Sequence, residues 1–300
     1  MKIKGFDRDQ KMLYLILLPF ILWYAVFVFK PMYGMVIAFK DYSLFKGIAG
    51  SDWIGFQNFK EFLTSPYFYT TLKNTLMLNI YSLLLEFPFA ILIALMLNEV
   101  KNKYFKSIVQ TASFIPYFIA IVVATGITIN ILSPSTGVIN FLLEKLGFER
   151  VYFLSKPEFF RGIFTGLNMW KTTGFNAIVY LAALTSINEQ LYEAARIDGA
   201  NKLQQIRHIT IPGIIPTIVI MLVLKVGSML NVAFEPVLLL YQPATYETAD
   251  VISTYVYRTG MLMQDFGLAT AVGLFNAIVG FILVYSANKW SKKVTQSSLW

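Results

Sequence analysis

Chemistry in this chain has few residues to draw on. Cysteine is absent and His208 is the single histidine, which removes thiolate nucleophiles, Cys-ligated zinc and most His-based triads. No Gly-x-x-x-x-Gly-Lys-Ser/Thr run and no His-Glu-x-x-His run is present, so neither a P-loop nor a zincin helix is encoded. What remains are polar groups set inside long apolar stretches. Lys171 has Asn168, Trp170, Thr172, Thr173 and Asn176 around it, and Lys225 is followed by Ser228, Asn231 and Glu235. Polar groups at membrane depth are costly and need a reason. On a continuous helix, Lys225, Ser228, Asn231 and Glu235 would form one stripe. Such a stripe suits either a water-filled path or hydrogen bonds between helices. For the two lysines a salt bridge to Glu86 or Glu235 is the competing reading. Trp and Tyr beside polar groups suit sugars, because an apolar ring face stacks while hydroxyls find donors and acceptors.

The elements that must position these groups are membrane helices. The chain has 300 residues, 56% apolar and only 14% charged, against about 25% charged in soluble domains. A hydrocarbon core of roughly 30 Å needs about 20 helical residues. Six stretches qualify: Met12 to about Phe39, Leu72 to Leu97, Ile108 to Leu132, Phe160 to Ile187, Gly213 to Tyr241 and Leu268 to Asn288. The fold class is therefore all-α, a polytopic helical bundle. Pro88 and Pro116 are tolerable inside such helices when neighbours satisfy the freed carbonyls. The first run follows Lys2, Lys4, Arg8 and Lys11 and ends on Lys30-Pro31 without a small-residue cleavage site, so it reads as a retained span.

The net charge of +8 fits loops rich in Lys and Arg better than nucleic-acid binding, which needs a polar domain. Lys101, Lys103, Lys106, Arg196, Lys202, Arg207, Lys289, Lys292 and Lys293 fall on the side of both termini. That bias places both termini in the cytoplasm. Residues 1–11 form the N-terminal segment, 12–288 the membrane domain with a core from about 70, and 289–300 the tail. The aromatic segment from Asp52 to Phe59 would lie at the interface, as an aromatic belt or a partner contact.

The loop over 188–212 carries the sharpest local pattern. Ser186 and Glu189 have capping-box spacing. Asp198-Gly199 should end the helix they start, because Gly accepts the left-handed conformation of a helix end. A second short helix is expected from Asn201 to about His208, with Pro212 opening the next span. The product is an exposed helix-turn-helix. Small Ala194 and Ala195 permit close approach, and Glu193 supplies one placed charge, as in helix-in-groove docking.

This stretch resembles the EAA loop of importer-type ABC permeases: Glu193-Ala194-Ala195, Gly199 and Ala200, then Ile209 and Pro212, with Ile211 where Leu is usual. More broadly the chain is similar to the carbohydrate-type permeases, and closest to the branch for oligosaccharides from complex polysaccharides. Trp170-Lys171 through Leu184, Val237 to Tyr241, Ala249 to Arg258 and the Lys-rich tail ending at Trp300 carry that likeness. The resemblance implies a transport subunit of the bacterial cytoplasmic membrane with no catalytic site, metal or cofactor of its own. ATP and Mg would bind on a dimeric ATPase docked at the loop. A second permease, making a heterodimer, and an external sugar-binding lipoprotein complete the expected assembly, with lipid around it and a carbohydrate as cargo. Position by position, the maltose-type sugar contacts fall on Tyr117, Asn168, Phe175, Ser228 and Glu235, the last in place of an amide. Two rival classes remain: an ion-coupled secondary transporter, and a membrane enzyme using a Ser228/Lys225 dyad.

Overall fold

A computed structural model describes residues 8–295. The N-terminal lysines Lys2 and Lys4 and the end of the tail, including Trp300, lie outside them. The chain divides into two compact units: one of residues 1–65 and 256–275, the other of residues 66–255 and 276–300.

In the first unit, helix α1 (Met12–Phe39) is long, strongly apolar and has none of its apolar window buried. It leads into a two-stranded antiparallel hairpin, β1 (Lys40–Asp41) on β2 (Asp52–Trp53), with Lys40 opposite Trp53. Helix α2 (Gln57–Thr64) follows. The aromatic segment folds onto this hairpin: Phe39 stacks on Trp53 with centroids 5.6 Å apart, and Phe56 and Phe59 close around it. Asn58, buried, donates to the carbonyls of Ala38 and Lys40.

The second unit holds the polar groups of interest. Its helices are α3 (Pro66–Glu99), α4 (Lys103–Phe118), α5 (Ile121–Leu132), α6 (Val138–Lys145), α7 (Pro157–Thr185), α8 (Glu189–Ile197), α9 (Lys202–Gly227), α10 (Phe234–Leu240), α11 (Tyr246–Ala249) and α12 (Ile252–Tyr257). Helix α13 (Phe266–Thr295) supplies residues to both units. Among the described residues, four helices (α1, α3, α9 and α13) are long and apolar enough to cross a membrane, or five spans if the bent pair α4 and α5 counts as one. Helix α7 has 29 residues, about 44 Å at 1.5 Å per residue, but Asn168, Lys171 and Asn176 make it more polar than that set.

Prolines shape these helices by a shared device. Before Pro31, Pro88 and Pro212 the helix widens into one π turn: Ala25–Phe29, Ser82–Glu86 and Ile206–Thr210. The residue before each proline donates to the carbonyl five back rather than four: Lys30 to Ala25, Phe87 to Ser82 and Ile211 to Ile206. A proline ring clashes with the carbonyl four residues earlier, and the wider turn removes that carbonyl from its path. Pro88 is thus tolerated as expected. Pro212 does not open a span; the helix already runs from Lys202.

Two expected spans are not single helices. The third bends by 100° between α4 and α5. Ile119 and Ala120 are extended there, just after Pro116 has removed a backbone donor. The fifth stops at Gly227, and α10 restarts only at Phe234. Pro236, in the first turn of α10, lacks an N–H and would clash with the Val232 carbonyl in a continuous helix. Ser228 adds a competing side-chain bond, donating back to the Lys225 carbonyl at 2.9 Å. The stripe from Lys225 to Glu235 is therefore broken.

Two cores hold the second unit. One gathers Leu78, Phe160, Phe164, Leu167, Val237 and Leu240, among others. The other gathers Ala90, Ala94, Ala177, Tyr180, Leu184 and Ile214. In lipid, helices associate through close packing at small residues. Gly174 is the extreme case: a β-carbon there would lie 2.0 Å from the Ser113 carbonyl oxygen, so α4 and α7 meet backbone to side-chain-free backbone.

Candidate functional site: a polar cavity and an exposed loop

Both helix breaks border one cavity of about 300 Å³. Asn79, Ser82 and Glu86 come from α3, and Tyr117 from the end of α4. Asn168, Thr172, Phe175 and Asn176 come from α7, Lys225 from α9, and Asn231 to Ala233 from the second break. Asn168 and Thr172 are four residues apart, and Phe175 and Asn176 follow Thr172 by three and four, so all lie on one face of α7. Non-helical backbone at membrane depth is tolerated only where protein or a cavity satisfies it, and both breaks are satisfied by side chains. At the first, the Lys171 ammonium donates to the Tyr117 carbonyl at 2.7 Å, the Pro116 carbonyl at 3.4 Å and the Ile119 carbonyl. A cation thereby caps the carbonyl end of α4, where the helix dipole favours it. The same ammonium lies 5.6 Å from the centre of the Tyr117 ring. At the second break, Asn79 donates to the Met229 carbonyl at 2.9 Å and Ser253 to that of Val232 at 3.3 Å. Asn276 donates to the Asn231 side chain at 3.0 Å.

Of the residues singled out in the sequence, Tyr117, Asn168, Phe175, Lys225 and Asn231 line this cavity. Tyr117 and Phe175 stack face to face, centroids 3.9 Å apart. Ser228 lines an adjoining cavity of about 260 Å³ that shares Glu86, Asn176 and Lys225. Lys225 pairs with Glu86 at 3.5 Å. Among the described residues Lys171 has no acidic partner; it clamps carbonyls. Trp170 lies elsewhere, beside Ile127, Ile131 and Leu167 in an apolar groove. Two residues from Asn168, it points about 200° away around the helix. Glu235 is exposed in the first turn of α10 and lines neither of these cavities. Sequence reasoning missed Asn79 and Ser82 as cavity walls, and noted Thr172 and Asn176 only as polar neighbours of Lys171. Ser82 and Glu86, four residues apart and just ahead of Pro88, were the available signal.

The loop between α7 and α9 is compact. Asn188, not Ser186, caps α8, accepting from the Gln190 N–H at 3.0 Å. Ser186 instead closes the end of α7, donating to the Ala183 carbonyl. Its neighbour Asn188 has the extended backbone an N-cap requires, while Ser186 is still helical. Gly199 ends α8 at φ +78°. The Ala200 N–H reaches the Ala195 carbonyl at 2.8 Å and the Gly199 N–H that of Arg196 at 3.2 Å, the paired bonds of a Schellman end. Asn201 and Gln204 then form a reciprocal capping box at the start of α9. The expected second short helix is continuous with α9, because the π turn carries it past Pro212. Tyr192 bonds the Thr210 hydroxyl at 3.0 Å, and Lys202 bridges Glu99 at 2.6 Å. Glu193, Ala194, Asp198 and Gly199 are exposed, while Ala195, Ala200 and Ile209 are half-buried and Pro212 is exposed. Ile197 and Leu203, 87% and 74% exposed, leave an apolar tip on the knob.

Comparison with known proteins bears on both regions. A polygalacturonan/rhamnogalacturonan transport system permease protein, YteP of Bacillus subtilis (strain 168), is 43% identical over 292 residues, covering 97% of this chain and 91% of that one. Protein LplB of the same organism is 41% identical over 292 residues, covering 97% and 92%. A chain in a crystal structure of a bacterial ABC transporter involved in the import of the acidic polysaccharide alginate superposes with a TM-score of 0.90. It is 48% identical, over 96% of this chain and 97% of that one. A second structure of an alginate ABC transporter, in complex with an alginate pentasaccharide-bound periplasmic protein, matches with a TM-score of 0.90 and 47% identity over 97% and 98%. The family model for binding-protein-dependent transport system inner membrane components matches residues 86–295, a range that takes in both the cavity wall from Glu86 onward and the loop. With more than half its length matched and relatives above 40% identity, the chain belongs to the family of binding-protein-dependent transport system inner membrane components.

Proposed function

We propose that this chain is the permease subunit of an ATP-driven importer that carries an oligosaccharide inward. The observation that carries the reading is the loop: a Schellman-ended helix presents Glu193, Ala194 and an apolar tip on a knob tied to α3 and α9. A surface that rigid can transmit the state of a docked partner to the helices behind it. In this reading Glu193, Ala194, Ala195, Asp198, Gly199, Ala200, Ile209 and Pro212 form the coupling element. A dimeric ATPase binds ATP and Mg and docks there from the cytoplasm, where both termini also lie. A second permease, in a heterodimer, and an external sugar-binding lipoprotein complete the assembly. The chain itself does no chemistry. ATP binding and pathway opening are then linked as a coupling free energy between two sites.

The cavity supports the sugar reading. Tyr117 and Phe175 offer ring faces, and Asn79, Asn168, Thr172, Asn176 and Asn231 offer amides and a hydroxyl. That is the mixture a sugar's apolar faces and hydroxyls require. YteP and the solved transporters are named for polysaccharide transport or import.

The test is uptake of labelled oligosaccharide into vesicles holding the assembled importer. Glu193→Lys and Gly199→Trp should each abolish ATP-driven uptake while the protein stays in the membrane. Unimpaired uptake by both variants would overturn the docking role. Uptake driven by an ion gradient without ATP would favour a secondary transporter instead.

A further inference from the structure

Glu86, Lys225 and Asn176 stand in the walls of two adjoining cavities. Cargo that occupies either cavity meets the ion pair of Glu86 and Lys225. Its two members are unlike. The Glu86 side chain is 8% exposed and accepts a hydrogen bond from Ser82 at 2.6 Å. Lys225 is 32% exposed. Among the described residues its ammonium donates no hydrogen bond, and its 3.5 Å separation from Glu86 exceeds the roughly 2.7–2.9 Å of a charge-assisted bond. An ammonium has three donors, so most of this one's capacity faces the cavities. Lys171 differs: its ammonium is committed to three carbonyls at the helix break.

We infer that Lys225 reads the charge of the cargo, and that the cargo is an acidic oligosaccharide whose carboxylate joins Glu86 at Lys225 during passage, taking the ammonium donors that Glu86 leaves open. The inference rests on the carbohydrate reading above. The physical reason is the cost of breaking a buried pair. Pulling Glu86 from Lys225 would strand a carboxylate that is 8% exposed, whereas the open donors of Lys225 can take a second carboxylate with the pair kept. Glu86 keeps its bond from Ser82 throughout. A neutral sugar offers those donors only uncharged acceptors, which bind an ammonium less strongly. Asn79, Asn168 and Asn176 remain for the hydroxyls, which acidic and neutral sugars share.

The experiment uses the complete importer in proteoliposomes with ATP and one fixed binding protein, at sugar concentrations that saturate it. The binding protein's own selectivity then cancels between variants. The probes are trigalacturonate and its methyl ester, the same sugar without charge. The wild type should take up the acid in preference to the ester. Lys225→Met should lower the acid-to-ester ratio by roughly tenfold, the scale of one charged hydrogen bond. Because that variant leaves Glu86 without a partner, Lys225→Met combined with Glu86→Gln carries the same test with no stranded charge. Glu86→Gln alone should raise the ratio, since it leaves Lys225 free for the cargo. A ratio unchanged from wild type in the double variant overturns the inference, as does a wild type that takes up the ester as readily as the acid. Uptake of neither sugar by the wild type brings down the carbohydrate reading itself.

Discussion

The loop between α7 and α9 and the cavity between α3, α4, α7 and α9 are held in opposite ways. The loop is built from near neighbours. Asn188 caps two residues on, Gly199 closes bonds three and five residues long, and Asn201 and Gln204 cap each other across three. The cavity is built from distant ones. Asn79 and the Met229 carbonyl are 150 residues apart, and Lys171 and the Tyr117 carbonyl 54. Local ties make an element that keeps its shape while its surroundings move, which suits a docking knob. Distant ties across broken helices make a site whose walls come from separate helices of one compact unit. The contrast also places the weak points. The first break hangs on the single Lys171 ammonium, whereas the loop has several ties that overlap.

The comparison is broken most severely at the helix contact behind the cavity. Gly174→Val puts a side chain where the Ser113 backbone already lies, 2.0 Å from a β-carbon. Neither backbone can yield, so α4 and α7 must part. Destabilisation of about 3 kcal/mol or more is expected, read as loss of monodisperse protein after mild heating in detergent. A Gly174→Val protein that melts with the wild type would mean that the two helices are not held where the cavity needs them. Next comes Lys171→Met. It keeps the length of the side chain and removes the donor to three carbonyls. Stranding those carbonyls should cost about 2 kcal/mol and loosen Tyr117 from Phe175. The check is the thermal midpoint, with Lys171→Arg recovering part of the loss. A midpoint unchanged by Lys171→Met would show that the bend is set by Pro116 alone.

The same division explains what the sequence discloses. The long apolar helices, the end of α8 at Gly199 and the exposed Glu193 were legible, because a run of apolar residues or a glycine acts on its own stretch of chain. The aromatic cluster around Phe39 was half legible: its segment was evident, its hairpin partner was not. The stripe from Lys225 to Glu235 misled, since its three- and four-residue spacing is as regular as a helix requires, while Pro236 four residues after Val232 forbids that helix. That signal was in the sequence and was outweighed by periodicity. The capping box assigned to Ser186 failed for a related reason, because Asn188 satisfies the same donors two residues later. The partner of Lys225 was narrowed to two acids, and the choice of Glu86 over Glu235 needed the fold. The role of Lys171 was out of reach, because backbone carbonyls freed by a bend leave no trace in residue identity.

The smallest effect is expected in the loop, and its smallness is the point. Asn201→Ala removes the side-chain half of the capping box at the start of α9 and strands the Gln204 N–H. An N-cap loss of this kind costs about 1 kcal/mol. Three other ties remain at the same turn: the Gln205 side chain on the Ala200 carbonyl, Tyr192 on Thr210, and Lys202 on Glu99. If the loop is held redundantly, the variant should open only locally. Amide exchange at Gln204 should speed by roughly fivefold, the factor that about 1 kcal/mol allows, while ATP-driven uptake stays near wild type. Uptake lost with the protein still in the membrane would mean that the knob depends on a single cap. The loop would then be as fragile as the cavity, and the difference drawn between the two regions would not hold.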